Sequence, residues 1–295
     1  MFTRCGTYNT SVTFEEELHL NNEKYVLVGV QRGGVSAVYR GDGTYLRIGV
    51  AAKIKKDLRF HKQMESAGFP VARLMAEGEK DDMSYFIEAS LGERRLGVVF
   101  TSDQEQTGSI QGAHFDELCA VARLHFEAQC RTQLPVSWEE FGEGIGLARL
   151  LSEMPAEADA ISRRFERVKH NITLPFVVTH GDFNAQNLYA HGVIDLEDSF
   201  PAPLGYDLMT VLTTVEFTPH SSDYEFYAKY QFSAEQRAEY LRRIDEWCSD
   251  FGLPPISVHQ EDLAFCRAVW MTGGLSVWPK LQKWRYDALL RTYSA

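Results

Sequence analysis

Apolar and polar positions alternate in short runs through the first third of the chain. Tyr25 to Val30 is a strand-length apolar run, and Ser36 to Arg40 and Thr44 to Gly49 follow it. Gly41-Asp42-Gly43 joins the last two as a tight hairpin turn, because glycine accepts positive φ without a Cβ clash. Gln31-Arg32-Gly33-Gly34 joins the first pair, so the segment reads as an antiparallel meander with a glycine-rich first turn. A helix is predicted from about Ile54 to Ala67, stopped by Gly68 and Pro70. Two more strands, Val71 to Glu77 and Ser84 to Glu88, flank the polar Glu79-Lys80-Asp81-Asp82, and Leu91-Gly92-Glu93 reads as a break. Beyond it the period changes. Phe115, Leu118, Cys119, Ala122 and Phe126 recur on one helix face, another helix is predicted over Ala156 to Val168, and more follow from Tyr206 onward. The pattern predicts an α+β, bilobal chain: a small antiparallel β-sheet lobe at 1–90, a hinge about 87–92, and a larger, mainly helical lobe at 93–295.

Composition narrows the function classes. The 295 residues carry 30 Lys+Arg against 41 Asp+Glu, a net charge of −11, which argues against a nucleic-acid binder that works by neutralising phosphates. Five scattered cysteines without a Cys-x-x-Cys spacing offer neither a zinc site nor a disulfide framework. The polar, acidic opening does not read as a secretory signal, and no apolar run approaches the roughly 20 residues of a membrane span. The expectation is a cytoplasmic protein with neither a membrane nor a nucleic-acid partner.

The chemistry concentrates in Pro175 to Phe200. Phe176-Val177-Val178 reads as a short buried strand, and Leu188-Tyr189-Ala190 with Gly192-Val193-Ile194 as a hairpin turning at His191-Gly192. Asp182, Asn187 and Asp195, groups able to hold a metal or take a proton, sit at the ends of these strands, where a strand-loop-hairpin can bring them together. Phosphoryl transfer needs such a set: a carboxylate to orient the attacking hydroxyl, and oxygen ligands for a Mg²⁺ that neutralises the phosphates.

His180-Gly181-Asp182 with Asn187, followed by Ile194-Asp195, resembles the signature of the aminoglycoside phosphotransferase and choline kinase group of the phosphotransferase enzyme family, small-molecule relatives of protein kinases. The resemblance implies a protein-kinase-like fold and a transferase using ATP and Mg²⁺ on a hydroxylated small molecule. It implies Asp182 as catalytic base, with Asn187 and Asp195 as magnesium ligands. Gly33, Gly34 and Ser36 then match the nucleotide-covering loop, Arg47 the phosphate-contacting cation, and Phe86-Ile87-Glu88 the hinge strand beside adenine. Leu124-His125 matches the helix end before the catalytic loop, and Asp207 the residue that braces the loop backbone, with His180 also structural. Asp57, eleven residues before Gly68, is the expected partner of Arg47, with Glu65 on the same helix as the other carboxylate. Glu197 and Asp198 follow Asp195 closely and are substrate-side candidates. Two departures stand out: Phe183-Asn184 where many members have Leu-His, and Arg47 where Lys is common.

The acceptor stays open at this level, with an aminoglycoside and an amino-alcohol both compatible. The short interval from Asp195 to Asp207 leaves little room for the activation segment of an atypical protein kinase. A non-catalytic nucleotide-binding module would have no need of Asp182. Glu139, Glu140, Glu143, Glu153, Glu157 and Asp159 read as solvated helix faces. Trp278, Trp284 and Tyr286 are compatible with either core packing or a substrate-lining role.

Overall fold

The N-terminal strands form because their apolar positions alternate, which gives the sheet one dry face. A computed structural model describes residues 13–31, 33–220, 228–274 and 285–291. The chain divides into two units, Met1–Glu93 and Arg94–Ala295. In the first, a six-stranded sheet is built from β1 (Glu17–Leu20), β2 (Glu23–Val30), β3 (Ser36–Arg40), β4 (Thr44–Val50), β5 (Leu74–Lys80) and β6 (Met83–Ala89), in the order β1-β2-β3-β4-β6-β5 with every pair antiparallel. Tyr25, Ala37, Tyr39, Leu46, Ile48, Tyr85 and Ile87 pack together on one face.

The other face carries Arg47 in register with Val38 and Phe86, and one row along, Tyr45 in register with Glu88. Helix α1 (Ala51–Ser66) lies against β4 and β6. The sequence pattern did not anticipate β1, a short strand whose outward residues are polar. The strand expected from Val71 begins at Leu74, after a single bridging residue at Val71.

The second unit is mainly helical: α2 (Leu96–Thr107), α3 (Gly112–Gln129), α4 (Trp138–Gly144), α5 (Leu147–Glu153), α6 (Ala158–Asn171), α7 (Tyr206–Phe217), α8 (Ala234–Asp250) and α9 (Gln260–Val269). A π-helical turn at Trp270–Gly274 continues α9. Among them run β7 (Phe176–Val178), which pairs with β10 (Pro201–Pro203), and the hairpin of β8 (Leu188–Tyr189) and β9 (Gly192–Val193). The hairpin register pairs Tyr189 with Gly192, so the chain reverses at Ala190-His191, one residue earlier than the sequence suggested. Helix α7 is buried nearly all round and packs on α9, fixing one helix end beside the loop after β7. No helix among the described residues is long and apolar enough to cross a membrane.

Gly49 marks a close approach in the sheet. A Cβ there would stand 2.3 Å from the Val35 carbonyl oxygen and 2.6 Å from the Ser36 Cα. Gly49→Ala should therefore force β3 from β4 and cost about 1–3 kcal/mol, the range for overpacking a tight site. Urea denaturation reads this directly, and a loss below about 0.5 kcal/mol would mean that the strands yield freely.

Candidate active site

The loop after β7 is held by a buried carboxylate. Asp207, in the first turn of α7, has no exposed surface. Its Oδ2 accepts from the backbone N–H of His180 at 2.7 Å, from His125 Nε2 at 2.8 Å and from Gln129 Nε2 at 2.8 Å, and its Oδ1 accepts from the N–H of Gly181 at 3.1 Å. Gln129 also donates to the Val178 carbonyl at 3.1 Å, tying the end of α3 to β7. An ionised carboxylate out of water is tolerable only with such donors, and the helix N-terminus adds favourable potential. Burial pushes the His125 imidazole below its usual pKa against the opposing pull of Asp207. The neutral ring donates through Nε2.

Gly181 is required at its position. Its φ is +83°, and a Cβ would lie 2.1 Å from the Asp198 carbonyl oxygen. Thr179 anchors the loop further, donating through both N–H and Oγ1 to the Phe200 carbonyl. His180, fully buried, donates through Nε2 to the Ile194 carbonyl at 2.7 Å, and its Nδ1 accepts from the Asp182 N–H at 3.3 Å. Ile194 N–H in turn donates to the Asn187 carbonyl at 3.0 Å. These bonds fix the backbone on which Asp195 follows Ile194. Asp195 itself is left-handed, with φ 67°. That conformation is uncommon for a residue with a Cβ, though Asp tolerates it better than most.

Asp182 takes several donors and still meets solvent, its side chain about a quarter exposed at 26%. Oδ1 accepts from Asn184 Nδ2 at 2.8 Å and from Arg267 Nη2, while Oδ2 accepts from Asn187 Nδ2 at 3.1 Å. Burial raises its pKa, but the Arg267 charge and hydrogen bond, His180 and the Asn184 amide together outweigh it, leaving the carboxyl below its ordinary value. Asn187 Nδ2 also reaches the Asp182 carbonyl at 2.9 Å. With its nitrogen turned to Asp182, the Asn187 amide has its oxygen available on the other side.

The residues after Asp182 explain the departure from Leu-His. Phe183 is fully buried and stacks on His125 with centroids 4.3 Å apart and planes at 29°. Asn184 caps the 3₁₀ turn Ala185–Asn187, its Oδ1 accepting from Gln186 N–H at 2.9 Å.

In the first unit, Gly33 (φ 87°) and Gly34 (φ 66°) form a left-handed turn, and Gly34 N–H donates to the Gln31 carbonyl at 3.0 Å. Ser36 is buried, and its hydroxyl donates to Gln31 Oε1 at 2.6 Å. Arg47 does not pair with Asp57. Its Nε donates to Glu88 Oε1 at 3.2 Å, and His61 Nδ1 stands 3.6 Å from the other Glu88 oxygen. Asp57 instead accepts from Lys53, one turn earlier on α1, at 2.7 Å. The physical reason is register. Glu88 and Arg47 share a face one pair apart on adjacent strands, within reach of long side chains. Glu88 thus serves as an ion-pair partner, and its backbone lies within a strand flanked by both β4 and β5.

Asp198 lies in the 3₁₀ turn Leu196–Asp198; the side chain of Glu197 lies outside the description, as do Trp278 and Trp284. Tyr286 donates to Glu153. Of the acidic helix residues, Glu139 pairs with Lys169 and Glu140 completes a capping box on Ser137. Among the described residues no group of three or more His, Cys, Asp or Glu side chains forms a metal cage.

Arg267 is the residue that sequence reasoning missed. It is 1% exposed, and besides Asp182 it donates through Nη1 to the Gly181 carbonyl at 2.8 Å and through Nη2 to Thr214 Oγ1 at 3.1 Å. A signal was present: a lone arginine in the apolar run Leu263-Ala264-Phe265-Cys266-Arg267-Ala268-Val269-Trp270 must be buried and therefore paired.

The depressed pKa of His125 sets an acid-side stability slope. Above its usual value of 6.5 both folded and unfolded chains carry it neutral; below, the unfolded chain takes up a proton that the folded chain refuses, so stability falls as pH falls. His125→Gln should flatten that slope between about pH 7.5 and about pH 5.5 in urea denaturation, and an unchanged slope would count against this assignment.

The model of the phosphotransferase enzyme family matches residues 32–247. Among solved structures, a choline/ethanolamine kinase family protein from Mesorhizobium loti superposes with a TM-score of 0.57 at 13% identity, covering 92% of this chain and 88% of that one. A Plasmodium vivax ethanolamine kinase gives 0.56 at 11% identity, covering 92% and 84%. A thermostable aminoglycoside phosphotransferase mutant in complex with AMP-PNP and hygromycin B gives 0.55 at 11%, covering 91% and 93%. No curated protein matches the chain. At these identities the structures establish a shared protein-kinase-like fold. The family match spans most of the chain and includes the whole loop from Asp182 to Asp207, and this chain belongs to the phosphotransferase enzyme family.

Proposed function

We propose that this protein transfers the γ-phosphoryl group of ATP, with Mg²⁺, to a hydroxyl group of a small molecule, with Asp182 receiving that hydroxyl. The observation that carries the reading is the Asp182 carboxylate: partly exposed, ionised, and fixed by Arg267, Asn184 and Asn187. A carboxylate spent purely on structure, like Asp207, is buried and saturated. In the transfer, the acceptor oxygen bonds to the γ-phosphorus and the bond from that phosphorus to the β–γ bridging oxygen breaks. The leaving ADP keeps the electron pair, and the hydroxyl proton passes to Asp182. The depressed pKa keeps Asp182 ionised and only weakly basic, so it accepts a hydrogen bond that orients the nucleophile, which suits a loose transition state.

Asn187 and Asp195 fit a hard divalent cation. Both offer oxygen, and the Asn187 amide is turned with its nitrogen on Asp182, which commits its oxygen to other partners. One carboxylate and one amide suffice for Mg²⁺ when nucleotide phosphates and water complete the shell. When bound, the ion supplies charge neutralisation on the phosphates. In the first unit we assign phosphate contact to the backbone of Gly33 and Gly34 and to Arg47, and no direct contact to the Ser36 hydroxyl.

For the acceptor we propose a hydroxylated amine, with Glu197 and Asp198 on its side of the site. Hygromycin B, bound by one structural neighbour, and choline and ethanolamine, after which the family of another is named, belong to that class, and the net charge of −11 agrees with it. The four described cysteines are free thiols, in keeping with a cytoplasmic setting. A thermal-shift screen of Mg-ATP with a panel of hydroxylated amines tests the class, since a ligand at about 100 times its Kd adds about 2.7 kcal/mol.

Two variants test the roles. Asp182→Asn should keep Mg-ATP binding and lose at least ~100-fold in turnover of any accepted amine; turnover near that of the parent would remove Asp182 from the chemistry. Asp195→Ala should weaken magnesium-dependent nucleotide binding in calorimetry, and equal affinity in both proteins would refute the metal assignment.

A further inference from the structure

An ionised carboxylate offers about four acceptor positions, two on each oxygen. At Asp182, Oδ1 already receives two donors, Asn184 Nδ2 and Arg267 Nη2, and Oδ2 receives one, Asn187 Nδ2. One position remains, and it lies on Oδ2. We propose that Arg267 is a positioning residue of the transfer reaction, closing the Oδ1 side of Asp182 so that the acceptor hydroxyl is received at Oδ2 alone. This rests on the reading of Asp182 as the group that meets the hydroxyl.

The arrangement needs arginine specifically. The planar fork serves three acceptors at once: Nη1 holds the Gly181 carbonyl while Nη2 holds Asp182 Oδ1 and Thr214 Oγ1. An ammonium is a point charge and cannot span them. The guanidinium also lies over the Trp270 ring, 4.2 Å from its centroid, and Trp270 stacks on Phe200 at 6.5 Å and 22°. Phe200 is the residue whose carbonyl receives Thr179. The cation is therefore clamped between the loop before Asp182 and the segment after Asp195. Trp270 opens the π-helical turn that ends α9, and such turns are rare and concentrate at functional sites.

The geometry also selects a direction of approach. Asn187 Nδ2 donates to Oδ2, so that oxygen is the one facing the residue proposed to hold the metal. A hydroxyl on the remaining position of Oδ2 therefore meets the carboxylate at the oxygen turned to Asn187. A hydroxyl on Oδ1 would stand on the Arg267 side. Placement by about 1 Å at the nucleophile changes rates by ~100-fold, so an oxygen-selective block is a catalytic asset.

The test is a crystal structure of the unaltered protein, alone and with Mg-AMP-PNP, read for solvent on Asp182. A water, standing for the acceptor oxygen, is expected at about 2.5–3.0 Å from Oδ2 and none on Oδ1. A water or acceptor oxygen on Oδ1, with the guanidinium swung away, overturns the proposal. Absence of nucleotide from the complex would count against the ATP-dependent reading while leaving the solvent pattern at Asp182 fully readable. The kinetic arm uses Mg-ATP hydrolysis, with water as the acceptor. Arg267→Lys keeps the charge and loses the fork, and should lower kcat by roughly 100-fold with KM for Mg-ATP unchanged. A kcat equal to that of the parent in a folded Arg267→Lys protein overturns the proposal too. Should that variant fail to fold, the solvent pattern decides alone.

Discussion

One carboxylate holds the working part of this molecule in place. Asp207 accepts two backbone N–H groups of the loop after β7 and two side chains of α3, all out of water. Every other feature of the loop follows from that clamp. With His180 and Gly181 fixed to α7, the next residue can turn outward only through the left-handed conformation of Gly181, which brings the loop backbone against Asp198. Removing such a buried acceptor would strand four donors, which is why a group so costly to bury is held so rigidly.

Asp207 and Asp182 show how surroundings divide the work of one residue type. Asp207 is saturated by uncharged donors and has no surface, so it has nothing left to offer a ligand. Asp182 faces a cation, two amides and solvent, so it keeps its charge and one open acceptor position. The pairing with Arg267 carries a second consequence. A buried ion pair is weak evidence for stability, because desolvation offsets attraction. A buried pair whose carboxylate alone reaches solvent is better explained as orientation. His180 links the two acids: its N–H is on Asp207, its Nδ1 accepts from the Asp182 N–H, and its Nε2 reaches Ile194. The imidazole thus sets the spacing between Asp182 and the strand that leads to Asp195.

The order of strands and helices was readable in the chain because its signals are local: the Gly41-Asp42-Gly43 turn, the stop at Gly68, the helical period around Phe115 to Phe126. The backbone of the loop was readable for a related reason, since Asp182, Asn187 and Asp195 lie within one short segment whose strands are tied by adjacent backbone bonds. What the chain did not disclose depends on pairs distant in sequence. Asp57 sits at a plausible spacing for Arg47, yet spacing along a helix cannot say which strand residue shares the face of Arg47, and the sheet register gives that place to Glu88. Arg267 lies 85 residues from Asp182, and only the packing of α9 against α7 brings them together. β1 is not evident in the chain because it is four residues long and half polar at an edge, where one covered face suffices.

The departure at Phe183-Asn184 shows what the loop actually demands. Two requirements meet there: the space beside His125 must be filled, and Asp182 must be steadied from the side of the 3₁₀ turn. Phe183 meets the first by stacking on the imidazole, in a position with no exposed surface. Asn184 meets the second with both ends of one amide, its oxygen capping the turn and its nitrogen on Asp182 Oδ1. Aspartate at that place could cap the turn but would set a second negative charge against Asp182, and leucine could do neither. The constraint on the loop is therefore a set of donors and a volume, which different letters can satisfy. Here the volume is aromatic, and the donor that shares Oδ1 with Arg267 comes from the residue that starts the turn toward Asn187.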